Sequence, residues 1–167
     1  MAGDPKRVFI SYTHDSSEHK ERARALADRL RDDGLDAAID QYVNGTPSEG
    51  WPLWMQHCIE GADAVLVVCT EKYKKRYLGE EQSGVGLGAV WEAVLARGEL
   101  YGLQGNNTKF VPVVFDQTAI QYVPAPLNQY TWYVLMEDYE RLLRYLTNQP
   151  SIVAPPIGPE RKLPPDP

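Results

Sequence analysis

Short apolar runs alternate along the chain with segments whose apolar residues recur at helical spacing. The run at 8–10 is bounded by charged and polar residues, is too short for a buried helix, and favours a strand covered on both faces. The next segment carries the apolar stripe of an amphipathic helix, at Ala23, Leu26, Ala27 and Leu30. Asp15, with Glu18 three residues later, predicts the start of this helix, and Gly34 predicts a left-handed end.

This strand–helix unit repeats along the chain. Further strands are predicted at 35–40, 62–70, 108–116 and 130–135, and further helices at 51–61, 71–77 and 89–100, with a last one striped by Tyr139, Leu142, Leu143 and Leu146. The run 62–70 is the most apolar, which predicts the central strand, whereas 35–40 predicts an edge strand. Alternating strands and helices predict an α/β fold, a flavodoxin-like doubly wound five-stranded parallel sheet flanked by helices.

Three details of the pattern carry their own predictions. Pro112 lacks a ladder donor, so its strand is expected to have a bulge or an edge-like position there. Trp54 is expected in the core, while Trp51, at a loop junction, is left open. The loop 78–88 holds four glycines, but its G-x-G-x-G spacing does not directly follow a strand, which favours flexibility over a phosphate cradle.

Composition narrows the possible partners. A formal net charge of −6 and a pI near 5.1 argue against nucleic acid or an anionic membrane as the main partner. The basic run within 72–76 is interpreted as a solvated helix face. With no apolar run near the ~20 residues of a membrane span and no signal-peptide pattern, a cytoplasmic location is expected. Cys58 and Cys69 are predicted to be buried free thiols, and the three histidines show no metal-like spacing, so no metal site is expected.

The character of the chain changes at residue 150. Seven of its 13 prolines lie in the last 18 residues, where hydrophobic periodicity vanishes. We therefore expect a domain at 1–149 and a proline-rich linker or tail at 150–167, with a further domain beyond Pro167 in a longer protein.

Several stretches resemble one family. The segments "RVFISYTHDS", "FISYTHDSSEHKERARALADRLRDDGLDAAIDQY", "GWPLWM", "ADAVLVVCTEKY", "GVGLGAVWE" and "TKFVPVVF" are similar to the SEFIR branch of the Toll/interleukin-1 receptor (TIR) domain superfamily. The resemblance covers roughly 7–147 and implies the TIR-like version of the predicted fold. It does not settle function, because one fold hosts several activities.

The resemblance implies two possible functions. Many members of the superfamily cleave NAD⁺ with a glutamate on the helix after the third strand, which matches Glu92 here; others are adaptors that assemble with like domains. The common Trp four residues before that glutamate is Gly88 in this chain, which favours the adaptor, and Trp91 lies beside Glu92 as a possible substrate contact. The loop 42–50, with Asn44, Gly45 and Pro47, matches the family's BB loop, which covers the pocket and makes assembly contacts.

The chemistry of NAD⁺ cleavage is compatible with Glu92. Loss of nicotinamide leaves an oxocarbenium-like ribose, which a nearby carboxylate stabilises. The first turn of a helix keeps such a carboxylate ionised, although a glutamate there is equally suited to capping amides. Further substrate contacts are expected where open α/β sheets place their sites, with loop, cap or turn roles as the alternative: Ser11, Tyr12, Thr13, Asp40 and Tyr42.

These observations define two hypotheses. The first is a NAD⁺ hydrolase that acts on NAD⁺ as substrate without a cofactor, is activated by self-association, possibly into filaments, and serves as effector of a bacterial immune, antiphage system. The alternative is a non-enzymatic module for homotypic protein–protein interaction. Release of nicotinamide by the concentrated domain discriminates between them.

Overall fold

One five-stranded sheet organises the computed structural model, which describes residues 3–78, 108–125 and 127–166. Its strands are β1 (Arg7–Ser11), β2 (Asp36–Ala38), β3 (Ala64–Val68), β4 (Phe110–Val114) and β5 (Tyr133–Val134). The helices in the described part are α1 (Ser17–Asp32), α2 (Trp51–Gly61), α3 (Glu71–Tyr77) and α4 (Leu135–Leu146). All strand pairs are parallel, in the order β2-β1-β3-β4-β5. The predicted α/β sheet is confirmed, with β3 central and β2 at an edge, while the predicted helix 89–100 lies outside the described residues.

The sheet is covered on both faces because its middle strands are apolar at every position. All five residues of β3 are buried, and successive side chains point to opposite faces. Leu66 packs in the cluster with α1 and α4, whereas Val65 packs in the cluster with α2 and α3. The unbroken apolar run that predicts a buried strand therefore contributes side chains to the hydrophobic clusters on both faces of the sheet.

Helix α1 follows its predicted stripe but begins one residue later than Asp15 indicates. Ser16 is the N-cap, and its hydroxyl accepts from the backbone N–H of His19 at 3.0 Å. Asp15 does not cap the helix, since its carboxylate accepts instead from the Thr13 hydroxyl. Gly34 has φ 95°, the predicted left-handed conformation after the helix end.

Pro112 occupies an interior strand without a bulge. The register between β3 and β4 is continuous through the pair Val67 and Pro112. The carbonyls of Lys109 and Val113 accept from the backbone N–H groups of Val65 and Cys69. Pro112 is one residue off this alternation, so its nitrogen faces β5. Since the pairing of β5 begins only opposite Val113, the missing N–H breaks no bond of that ladder.

The basic run on α3 is not uniformly solvated, which corrects the interpretation made from sequence. Lys75 is exposed, but Arg76 is only 4% exposed. Arg76 lies one turn after Tyr73 and next to Tyr77, two side chains that α3 buries against the sheet. Its Nε and Nη1 atoms have no hydrogen-bond partner in the part of the chain that the structure describes.

The side chains of α2 are less deeply buried than predicted. Trp54 is half-buried, with its ring edge-to-face against Phe9 at 5.8 Å, and the Trp51 ring lies 5.4 Å from that of Trp54. Cys58 is half-buried and Cys69 buried, and both are free thiols. Burial raises the pKa of Cys69, which keeps this thiol protonated and unreactive.

The last stretch, 150–166, is exposed and carries neither helix nor strand. Ending the chain after Pro150 should therefore leave the melting temperature unchanged in a thermal unfolding scan. A chain ending after Glu140 is the control, since it loses Leu142 and Leu146, which are buried in α4, and should not fold. A large drop in melting temperature for the Pro150 truncation would show that the tail packs on the domain.

Candidate functional site

The order of the strands places one crevice at the carboxyl ends of β1 and β3. From β1 the chain steps outward to β2 and then returns to build β3, β4 and β5 on the other side. Helices therefore leave β1 and β3 towards opposite faces, α1 to one and α3 to the other. Open α/β sheets bind ligands at such a switch point, because the two connections diverge and leave a gap between them.

Hydroxyl groups join the two strand ends at this point. Ser11 is buried and shares a hydrogen bond of 2.7 Å with the Tyr73 hydroxyl on α3. The Thr13 and Thr70 hydroxyls lie 3.3 Å apart, and the Thr70 hydroxyl also caps α3 by accepting from the N–H of Tyr73 at 3.2 Å. Ser11 and Thr13 thus lie where the sequence predicts them, and each is already bound within the protein.

A buried tyrosine and a carboxylate form the second part of the cluster. Tyr12, 1% exposed, donates its hydroxyl hydrogen to Asp40 Oδ1 at 2.7 Å, and Nε2 of His14 donates to Oδ2 at 2.8 Å. The side chain of Gln41 donates to the Tyr12 hydroxyl at 2.8 Å and to the carbonyl of Lys20 at 2.7 Å. Asp40 therefore links the segment after β2 to the residues that follow β1, and Gln41 links the same segment to α1.

Asp40 is held as a carboxylate. Burial by itself raises the pKa of this group, but the hydrogen bonds from His14 and Tyr12 outweigh it, so the pKa lies below the usual 3.8. The Asp40 side chain is 13% exposed, which leaves a small part of it open to solvent. The cluster accordingly presents a fixed negative charge at neutral pH.

Tyr42 is not part of this cluster. Its hydroxyl donates to Asp28 Oδ1 on α1 at 2.5 Å, and the side chain is 42% exposed. Partial burial and this hydrogen bond raise the pKa of Tyr42 to about 12. Tyr42 therefore lies against α1 and not against the Asp40 carboxylate, while its contact with a substrate stays a prediction.

The loop that follows Asp40 is exposed and rich in turns. Asn44 and Gly45 are exposed and Pro47 half-buried. Gly45 has φ 75° and Gly50 has φ 84°, conformations that favour glycine. The loop closes on α2, where the N–H of Gly50 donates to the carbonyl of Pro47 at 2.9 Å.

Four residues in or beside the cluster are not selected as candidates from the sequence. Gln41 has no periodic or motif context, so nothing in the sequence indicates its bridging role. Tyr73 and Tyr77 repeat at i, i+4, a spacing that indicates the buried side of α3. His19 extends the stripe of α1 by one turn before Ala23, and it is buried beneath the cluster beside Tyr12.

The His19 side chain packs against apolar neighbours as an uncharged ring would. Its ring lies 5.5 Å from that of Phe115, edge-to-face, and its Nε2 has no hydrogen-bond partner within the described ranges. Burial lowers the pKa of His19 despite the attraction of Asp15, so the ring is neutral at neutral pH. The neutral ring fits the apolar surroundings.

The remaining predicted site residues, Trp91 and the catalytic candidate Glu92, lie outside the described residues, as does Gly88. A concavity of about 320 Å³ in the described part lies elsewhere, between α2 and the amino ends of β1 and β2, and includes Trp54 and His57 in its lining. Across 3–78, 108–125 and 127–166, no three His, Cys, Asp or Glu side chains are grouped to hold a metal ion. In the same residues no helix is long and apolar enough to cross a membrane.

An all-parallel sheet in the order β2-β1-β3-β4-β5, covered on both faces and with polar side chains at its switch point, defines a doubly wound α/β domain of the flavodoxin-like class. The SEFIR domain family model matches residues 6–146, so the chain belongs to the SEFIR family. It is also similar to the crystal structure of a prokaryotic SEFIR domain, with a TM-score of 0.64 and 24% identity over 84% of this chain and 98% of that chain. That likeness supports the fold, and family membership makes the chain a signalling or interaction module.

The bond from Tyr12 to Asp40 should contribute measurably to stability. Tyr12→Phe keeps the buried ring and removes the hydroxyl, which donates to Asp40 and accepts from Gln41. The free energy of unfolding should therefore fall by about 1.5–3 kcal/mol, as for a hydrogen bond to a charged group. Tyr42→Phe is the matched control, because its hydroxyl pairs with an exposed carboxylate and should matter less. Urea unfolding measures both variants, and equal losses would contradict a special role for Asp40.

The pH dependence follows from the lowered pKa of Asp40. A carboxylate with a lowered pKa stabilises the folded state above its unfolded pKa, near 3.8, and this contribution is lost as pH falls below that value. The stability difference between the wild-type chain and Tyr12→Phe should therefore be full at neutral pH and shrink below about pH 4.

Proposed function

We propose that this domain signals by self-association through the loop 42–50, and that the assembled form hydrolyses NAD⁺ at Glu92 as the effector of an immune, antiphage response. The observation that carries the proposal is the position of Asp40. This one side chain is bonded to Tyr12 at the switch point, and the exposed loop begins directly after its short turn, Asp40–Tyr42. A contact that moves the loop would therefore act on the polar cluster.

Self-association is supported by the family and by the character of the loop. SEFIR and TIR domains mediate homotypic interactions. The loop is exposed, and its positive-φ glycines allow backbone conformations that other residues resist. A segment with few buried contacts is reordered at low cost when a partner binds. If the contact is head-to-tail and does not close, copies add without limit and form filaments.

NAD⁺ cleavage is supported by the chemistry of the polar cluster, taken together with the presence of Glu92 in the sequence. The reaction expels neutral nicotinamide and develops positive charge on the ribose, which an ionised carboxylate stabilises. Asp40 adds a second fixed negative charge, and Ser11 and Thr13 add hydroxyls that suit ribose or phosphate oxygens. These hydroxyls are paired within the protein, so substrate contact requires the cluster to rearrange, which self-association would supply.

The second candidate is an adaptor that assembles without catalysis. It is favoured by Gly88 in place of the tryptophan common in the superfamily, and by the internal pairing of the cluster hydroxyls. Both candidates share the loop and differ in one measurement, the release of nicotinamide from NAD⁺ by the concentrated protein.

Glu92→Gln separates the two candidates. The substitution keeps size and capping capacity but removes the charge, so NAD⁺ cleavage should fall by ~10² or more, a typical loss for an electrostatic transition-state group. Glu71→Gln is the matched control, since Glu71 lies on the exposed side of α3 and pairs with Lys75 at 3.4 Å. Chromatography of nicotinamide measures both. Full activity in a folded Glu92→Gln protein would contradict the catalytic assignment, and no activity in the wild type at any concentration would favour the adaptor.

Activity should depend on assembly. Specific activity should rise steeply with protein concentration, because the site is completed only when copies meet, and sizing should show the same transition. Gly45→Ala should weaken both self-association and NAD⁺ cleavage, since a φ of 75° strains any residue with a Cβ. Gly34→Ala is the matched control: its φ is 95°, its Cβ also meets open space, and it lies outside the loop. Flat activity from nanomolar to micromolar protein, with a monomer throughout, would contradict the dependence on assembly.

A further inference from the structure

The tail 150–166 presents apolar side chains that the domain does not cover. Ile157 is fully exposed, and Leu163 is 70% exposed. The ion pair in this stretch joins two tail residues, Lys162 Nζ and Glu160 Oε2, at 3.2 Å. A spacer needs prolines for stiffness, but it has no need of large apolar side chains, which cost solubility. Their presence in an exposed segment indicates a surface for a partner.

The end of the tail has the spacing of a polyproline II ligand. The segment 161–167 reads RKLPPDP, in which Arg161, Pro164 and Pro167 recur at intervals of three. A polyproline II helix has three residues per turn, so residues at this spacing lie along one edge, roughly 9 Å apart. The prolines fix φ in advance, which lowers the entropy lost when such a segment binds.

We propose that the segment 161–167 is a docking peptide for a separate protein domain with an aromatic-lined groove bordered by carboxylates, the recognition chemistry of SH3 domains. Proline-rich segments bind such grooves by packing prolines between aromatic rings. Leu163, directly before Pro164, adds the apolar side chain that fills a groove pocket. Arg161, one turn earlier, supplies a charge for a carboxylate at the groove's end.

A second pair of prolines precedes Arg161, so two segments of the tail could bind the groove. Pro156 and Pro159 have the same interval, and Arg161 follows them by two residues, so one arginine borders both pairs. The residue before the first proline is Pro155 in the earlier pair and Leu163 in the later one, and the residue before the second proline is Gly158 and Asp166. Leu163 is the largest apolar side chain among these four, which favours the later pair for an aromatic groove.

A second copy of this chain is a poorer partner than a separate protein. The chain has its own depression of about 400 Å³, lined by Tyr133 and Tyr145 and, on one side, by the first tail residues, 150–152. It is bordered by Arg141 and Arg144, and the Arg141 guanidinium lies 5.7 Å from the ring of Tyr133. The positive charge of Arg161 would meet positive charge there, so the tail does not suit this surface.

The test uses the intact chain and an isotope-labelled SH3 domain that prefers arginine-first proline peptides, followed by NMR titration. Unlabelled chain should shift the resonances of the aromatic groove. Arg161→Glu and Pro164→Ala should each weaken binding at least about tenfold, a change of ~1.4 kcal/mol. Pro155→Ala is the matched control, because it removes a tail proline outside the segment, and it should bind like the unmodified chain.

Three results would overturn the inference. The first is the absence of groove shifts with the intact chain. The second is an equal effect of Pro155→Ala and Pro164→Ala, which would indicate recognition of proline content alone. The third is self-association on sizing that is lost when the tail is removed, since a second copy would then be the partner.

Discussion

Burial of the three inner strands is the constraint from which the rest of the architecture follows. With β3 and β4 buried at all five positions and β1 at four of five, helices must cover both faces of the sheet. The connections out of β1 and β3 then diverge to opposite faces and leave a gap at the carboxyl ends. Polar side chains collect in this gap, where they reach each other without crossing an apolar layer.

Asp40 connects the polar side chains in that gap to the exposed loop 42–50. A carboxylate that is mostly buried is stable only while its hydrogen bonds are made, and two of its partners, Tyr12 and His14, lie on the loop that leaves β1. The segment carrying Asp40 leads directly into the exposed loop 42–50. Displacing the loop would therefore disturb a network of several bonds together, so the response is expected to have two states rather than a gradual course.

Much of the fold is predictable from sequence, because strand runs and helix stripes report burial directly. The run 62–70 indicates the central strand and Gly34 the end of α1, both confirmed. The candidate site is less predictable, since side-chain direction depends on tertiary contacts: Tyr42 turns to α1, away from Asp40, and Gln41 bridges two elements with no pattern behind it. The prediction that Arg76 is solvated is wrong, because the run of charged residues obscures the apolar stripe on the buried side of its short helix.

The outer strands of the sheet are short, three residues in β2 and two in β5. An unpaired strand edge is a template on which other extended chains grow, and its hazard increases with its length. A domain from a family that gathers like copies in one place is exposed to that hazard whenever it works. Edges this short offer an added strand few backbone groups to pair with, which disfavours growth of a cross-β aggregate between crowded copies of the domain.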